Sequence, residues 1–324
     1  MKTKRLNINI VKTLFLLLFV VSVSCKNAEK KTEEVVTTEV EEVKPFFKLS
    51  LAQWSFHKYV FRGGDPYEFA GQAKELGFTG LEYVSALYKD VKDAKFSEEA
   101  MATFVEKSNA EAKKHGMKNV LIMIDGQGHL AAETEKERNE TVEKHKKWVK
   151  AAAAMGCHAI RVNLAGSDEE KAWIANSIDG LTKLGTYAKG HGINIIVENH
   201  GGLSSNGALL AEVMSKVTLD NVGTLPDFGN FCIKRKKDGC EDMYDIYKGV
   251  TELMPYAKAV SAKSLDFDAD GNETKIDYVK MMQIVKDAGY KGFVGVEYEG
   301  NILGEPEGIA ATRDLILKAS KNFK

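Results

Sequence analysis

The segment AKGHGINIIVEN, residues 188–199, reads as the end of a helix, a glycine and a short apolar strand that finishes on Glu198 and Asn199. Glycine at the break takes the left-handed conformation that terminates a helix. A near-continuous apolar run after it suits a strand covered on both faces. The same phrase recurs as AKELGFTGLEYV (73–84), AKKHGMKNVLIMI (112–124), AAAMGCHAIRVNL (152–164) and VKDAGYKGFVGVEYE (285–299). Less regular segments raise the number of expected strands to eight: Leu49–Trp54, Gly80–Val84, Asn119–Ile124, Ala159–Leu164, Ile193–Glu198, Val222–Asp227, Ala257–Lys263 and Phe293–Tyr298. Amphipathic helices lie between them, for example Ser97–His115 and Glu135–Met155. Eight strand–helix units in about 280 residues predict an α/β fold of the (β/α)8 TIM-barrel type, close to its usual size. A doubly wound open sheet normally carries a glycine-rich phosphate fingerprint after its first strand, and AQWSFHKYV has none.

In such a barrel the chemistry sits at the C-terminal ends of the strands. Polar residues fall there in order: Gln53 and Trp54, Glu82, Asp125, Asn163, Glu198 with His200, Asp227 followed by Asn230, Ser261 with Lys263, and Glu297. A carboxylate at the end of a buried strand is costly unless it meets a cation or donors. Glu198, Asp227 and Glu297 therefore read either as three hard oxygen ligands for a divalent ion or as ion-pair partners of Lys263 and Arg161. His145, on a charged helix, reads as solvated, and the run Lys234–Lys237 as a solvated charged face.

The segments LAQWSFHK, IIVENHGG, LPDFGNF, AVSAKSLDFD and GFVGVEYEG together resemble the sugar isomerase/epimerase superfamily with a xylose isomerase-like barrel. That group also includes inosose dehydratases, ketose 3-epimerases and apurinic endonucleases. The resemblance spans the chain after Pro45 and implies metal ligands at Glu198, Asp227 and Glu297. It implies a fourth at Ser261, where the family usually has a histidine two residues before a lysine. Asn230 stands where many relatives have a substrate-binding histidine, and Ser204 where ketose epimerases have a second glutamate. The implied cofactor is a divalent ion: Mn2+, Mg2+, Co2+ or Zn2+.

The implied chemistry is proton abstraction next to a carbonyl, with Glu198 and Glu297 facing opposite sides of the substrate. Lys263 reads as a base, an oxyanion partner or a charge balancer, and His200 as a proton shuttle or an orienting partner of Glu198. Gln53, Trp54, Glu82, Asp125, Asn163 and Asn230 are expected to contact substrate, with Trp54 either stacking on a sugar or plugging the barrel. Isomerase or epimerase action on an unphosphorylated sugar or ketosugar is the first expectation. The second is a lyase or dehydratase acting on a 3-keto-glycoside or inosose-like compound. A third, of another class, is a non-catalytic sugar-binding lipoprotein.

Composition bounds the setting. The 324 residues are 44% hydrophobic and 28% charged with 5 Pro, which excludes disordered and fibrous classes. The net charge is −1, and the first 24 residues contribute Lys2, Lys4, Arg5 and Lys12 without an acid. A mildly acidic body argues against a nucleic-acid partner. That leader, with its apolar run Leu14–Val21 and SVSC ending at Cys25, reads as a signal peptide (1–24) and resembles a lipobox, with Cys25 lipidated. Ten charges in residues 26–44 read as a solvated tether (25–44) ahead of the catalytic barrel (45–324). The chain is thus expected outside the cytoplasm, anchored to a membrane on the periplasmic or outer-membrane side, with a small sugar as its partner. Cys232 and Cys240 are the candidate disulfide there, and Cys157 reads as a buried small hydrophobe.

Overall fold

The computed structural model describes residues 45–321 and Phe323. The signal-peptide and tether assignments, with Cys25, lie outside these residues. Strands β1 (Lys48–Ala52), β2 (Gly80–Val84), β3 (Lys118–Met123), β4 (Ala159–Val162), β5 (Asn194–Glu198) and β6 (Val222–Leu225) come first. A hairpin, β7 (Cys232–Lys236) and β8 (Gly239–Met243), precedes β9 (Val260–Ser264) and β10 (Phe293–Tyr298). Eight strands form one parallel sheet in the order β6-β5-β4-β3-β2-β1-β10-β9. Its outer strands approach through bridges at Thr224–Ala257 and Asp227–Ser261, so the barrel is nearly closed. The fold is a (β/α)8 barrel.

The ring of helices comprises α1 (His57–Phe61), α2 (Phe69–Glu75), α3 (Lys89–Asp93), α4 (Glu98–His115), α5 (Glu135–Ala154), α6 (Glu170–Lys189), α7 (Gly207–Lys216), α8 (Ile246–Leu253), α9 (Tyr278–Asp287) and α10 (Glu305–Lys321). Local chemistry sets their ends. Ser97 Oγ accepts the Ala100 N–H to cap α4, and Gly116, at φ +66°, ends it. Strand and helix faces meet in one apolar core that includes Leu51, Leu81, Leu121, Ile160, Ile195 and Val260.

The structure corrects several boundaries. The first strand stops at Ala52, and Gln53–Phe56 is a 3-10 turn. The sixth stops at Leu225 because Pro226 has no N–H for the ladder. The seventh starts at Val260, after a turn at Met254–Tyr256 that contains Pro255. His145 is buried on α5, not solvated, with Nδ1 2.8 Å from the Thr141 carbonyl. Burial lowers its pKa to about 4.

Candidate active site at the seam of the barrel

The seam between β6 and β9 carries the site. Asp227 follows β6 and bridges to Ser261 on β9, Glu198 is the last residue of β5, and Glu297 is the penultimate residue of β10. One carboxylate oxygen from each of Glu198, Asp227 and Glu297 lies within 4.8 Å of the other two, and all three side chains are buried.

The loops hold these carboxylates in place. Asn199, fully buried, donates to the carbonyls of Asp227 (3.0 Å) and Asn230 (3.2 Å) and accepts the Asp227 N–H (2.8 Å). Asp227 Oδ1 accepts the N–H groups of Gly229 and Asn230, and Ser261 Oγ donates to Asp227 Oδ2 at 2.7 Å. Asn230 donates to Glu198 Oε1 and accepts from Lys263 Nζ, both at 3.1 Å. Lys263 also meets Glu299 at 2.8 Å and Glu297 at 3.9 Å.

Donors do not reach every oxygen. Arg161 Nε lies 2.8 Å from Glu198 Oε2, close enough to attract it. The N–H is misdirected, however, and both atoms lack a hydrogen bond among the described residues. Glu297 likewise accepts no hydrogen bond from a described residue. Burial raises the pKa of Glu198, takes Asp227 to about 6 and holds Glu297 well above the usual carboxylate range. Burial would lower the Lys263 ammonium, but Asp227, Glu297 and Glu299 outweigh it and raise it. Asp125 is lowered: burial opposes ionisation, and the Arg161 guanidinium at 2.8 Å overrides it. The set is thus three buried carboxylates crowded together, with Asp227 fully met by donors and Glu198 Oε2 without one. Such a set fits a hard divalent cation, for which Glu198, Asp227 and Glu297 would supply the ligands.

Around the triad the expected residues separate. Asn163 donates to Asp125 and accepts from Arg161, beside the triad. His200 presents its ring to solvent at the mouth, although the surrounding walls strip enough water to lower its pKa, with Arg161 adding to the effect. Trp54 is half-buried and stacks on His57 at 4.8 Å between ring centres. Gln53 and Glu82, expected at the mouth, are not there. Gln53 is buried and spends its amide on Pro66, Tyr88 and the Val84 N–H. Glu82 is sealed in the barrel interior, where Ser50 donates to it at 2.5 Å and burial lifts its pKa to about 7. Ser204 braces the loop after β5, accepting from the His200 N–H and donating to the Gly201 carbonyl. Cys232 and Cys240 are joined by a disulfide across the β7–β8 hairpin, and Cys157 is free and buried.

Sequence reasoning placed Asn199 and Glu299 among the polar residues at strand ends but gave neither a role. It also read the hairpin as a loop, although KKDG between two short runs carries a turn signal.

No curated protein matches this sequence. Among solved structures, a sugar phosphate isomerase/epimerase from Parabacteroides distasonis matches with TM-score 0.63 at 15% identity, covering 87% of this chain and 97% of that one. The 3-keto-D-glucoside 4-epimerase from E. coli matches with TM-score 0.62 at 15% identity, covering 83% and 98%. A xylose isomerase-like TIM barrel protein from Mycobacterium smegmatis, solved in complex with magnesium, matches with TM-score 0.59 at 17% identity, covering 85% and 97%. At these identities they agree on fold. The sequence pattern of one family covers residues 70–319, and with it this chain belongs to the xylose isomerase-like TIM barrel family.

Proposed function

We propose that this protein is a sugar isomerase or epimerase that takes a proton from the carbon beside a carbonyl of an unphosphorylated sugar or ketosugar. The observation that carries the reading is the buried Glu198–Asp227–Glu297 cluster, with Glu198 Oε2 lacking a donor. A bound divalent ion supplies Lewis-acid polarisation of a substrate carbonyl. Glu198 Oε2 is the atom free to accept the carbon-bound proton, and Glu297 is the second carboxylate able to return one. Lys263, held as an ammonium by Glu299, supplies fixed positive charge rather than a base. Arg161 and Asn230 orient Glu198. The epimerase neighbours support this reading at the level of fold.

A lyase acting on a 3-keto-glycoside is the second reading. It is favoured by Ser204, which is a loop brace rather than a second catalytic acid, and by the His200 ring, which makes no hydrogen bond to a described residue and is open to protonate a leaving group. Export and an N-terminal lipid anchor at Cys25 remain part of the proposal, and the Cys232–Cys240 disulfide suits an oxidising compartment.

The test measures metal content and solvent-deuterium exchange into keto-sugars and 3-keto-glycosides, for the wild type and for Glu198→Gln/Glu297→Gln. About one divalent ion per chain, with exchange, both lost in the variant, supports the reading. Product analysis then separates epimerisation from release of an aglycone. No ion after supplementation with Mn2+, Mg2+, Co2+ or Zn2+ would sink it.

A further inference from the structure

A cavity of about 360 Å3 opens beside the triad, among the loops that follow β3, β4 and β5. Its inner wall is Asn163 and His200. Asn163 accepts from Arg161 Nη1 at 3.1 Å, and Arg161 lies against Glu198, so two side chains link the cavity to the triad. The outer wall is formed by His129 and Ala165, both exposed.

Backbone shapes the lining. Gly126 and Gly201 have φ of +69° and +88°, and nothing stands within 4 Å of where a side chain would project from either. The chain therefore comes to the cavity bare, in a conformation other residues resist. The backbone N–H groups of Gly126 and Gly128, both in the lining, donate to no described residue. Open N–H groups and two imidazole edges are the donors and acceptors that a polyol needs at hydrogen-bond distance. No lysine or arginine lines the cavity, and Asp125 nearby is already engaged by Arg161 and Asn163, so the chemistry suits a neutral ligand rather than a phosphate. The volume sits at the small end of ligand pockets, enough for one further sugar unit and not a chain of them.

We infer that this cavity is a second sugar subsite, which binds the non-reacting unit of a disaccharide or other glycoside. The inference rests on the reading above that the triad holds the reacting sugar, and it narrows the substrate to a glycoside rather than a free monosaccharide.

Calorimetric titration of the full chain tests it, with two matched pairs of probes: methyl α-glucoside against maltose, and methyl β-glucoside against cellobiose. At least one disaccharide is expected to bind ten-fold or more tightly than its methyl glycoside. Ala165→Trp, which fills the cavity from an exposed loop position, and His129→Ala should each erase that increment and leave methyl glycoside affinity within two-fold. Equal binding of both members of each pair overturns the inference, as does equal weakening of both by the variants, or no saturable binding of any probe. These titrations need no turnover, so a failed exchange assay leaves them readable and the two failures distinct.

Discussion

Replacing Arg161 with Met tests whether the site is held by charge. Arg161 is 4% exposed, and its guanidinium lies 2.8 Å from both Asp125 and Glu198. It also donates to the Ile124 carbonyl at 3.3 Å and to Asn163 at 3.1 Å. Methionine fills much of the same space without the charge, so packing is largely kept. Removing one partner of a buried pair leaves the other uncompensated, at about 3–5 kcal/mol. With about 2–4 °C per kcal/mol in a domain of this size, Tm should fall by about 10 °C at pH 8. The pH dependence has a definite sign. Without Arg161 the folded-state pKa of Asp125 rises from below its unfolded value to above it, and that of Glu198, already raised by burial, rises further, so the folded protein takes up protons as pH falls and the penalty shrinks. Melts followed by circular dichroism at pH 8, 6.5 and 5 should show the gap from wild type narrowing on acidification. A gap below 2 °C at pH 8, or one that widens toward pH 5, would refute the view that Arg161 is the counter-ion on which Glu198 depends.

Glu82→Gln probes the sealed carboxyl. Its pKa of about 7 against 4.5 means that the wild type loses about 3 kcal/mol as pH rises from 4.5 through 7, so the variant's stability should be flatter over that range by denaturant titration. His145 has the opposite sign: its folded pKa of about 4 lies below the ordinary 6.5, so stability is lost as pH falls between those values, by about 3 kcal/mol at most. His145→Gln should reduce that acid loss in the same titration. Cys240→Ser opens a short loop, worth about 2.6 kcal/mol on the chain-entropy estimate. Because the hairpin pairs only with itself in the sheet topology, metal content and barrel secondary structure should persist, which mass spectrometry and circular dichroism would check.

The barrel was legible because each helix–glycine–strand phrase is local: Gly77, Gly116, Gly156, Gly192 and Gly289 all take positive φ. Of the site, strand-end carboxylates were legible as types but not as heights in the barrel. Glu82 has Tyr83 and Val84 after it in β2 and stays inside, whereas Glu198 ends β5 and reaches the mouth. Periodicity distinguishes neither the inside of a closed sheet from its rim nor a buried histidine on a charged helix from a solvated one. His145 shares α5 with ten charged residues and is buried all the same, because the helix turns that one face inward with Trp148 and Val149. Contacts across the seam, such as Ser261 with Asp227, depend on how the sheet closes, which no local pattern encodes.

Two departures from the family pattern acquire a common physical meaning in this arrangement. Ser261 and Asn230, where relatives have histidines, each donate a hydrogen bond to a carboxylate of the triad. They stabilise ionised oxygens instead of offering imidazole nitrogens. The neighbourhood then holds five carboxylates (Asp125, Glu198, Asp227, Glu297 and Glu299) against two cations, Arg161 and Lys263. Burying that surplus is unfavourable unless protons or a cation offset it, as the raised Asp227 and Glu297 pKa values show. Loss of nitrogen donors makes the site harder in the Lewis sense, while the excess charge preserves its pull on a divalent ion. An all-oxygen set of this kind favours Mg2+ or Mn2+, where an imidazole-containing site would favour Zn2+ or Co2+. On the proposed reading, a divalent ion at this site would be held through carboxylate oxygens, and the donors present would select a hard ion over one that prefers imidazole.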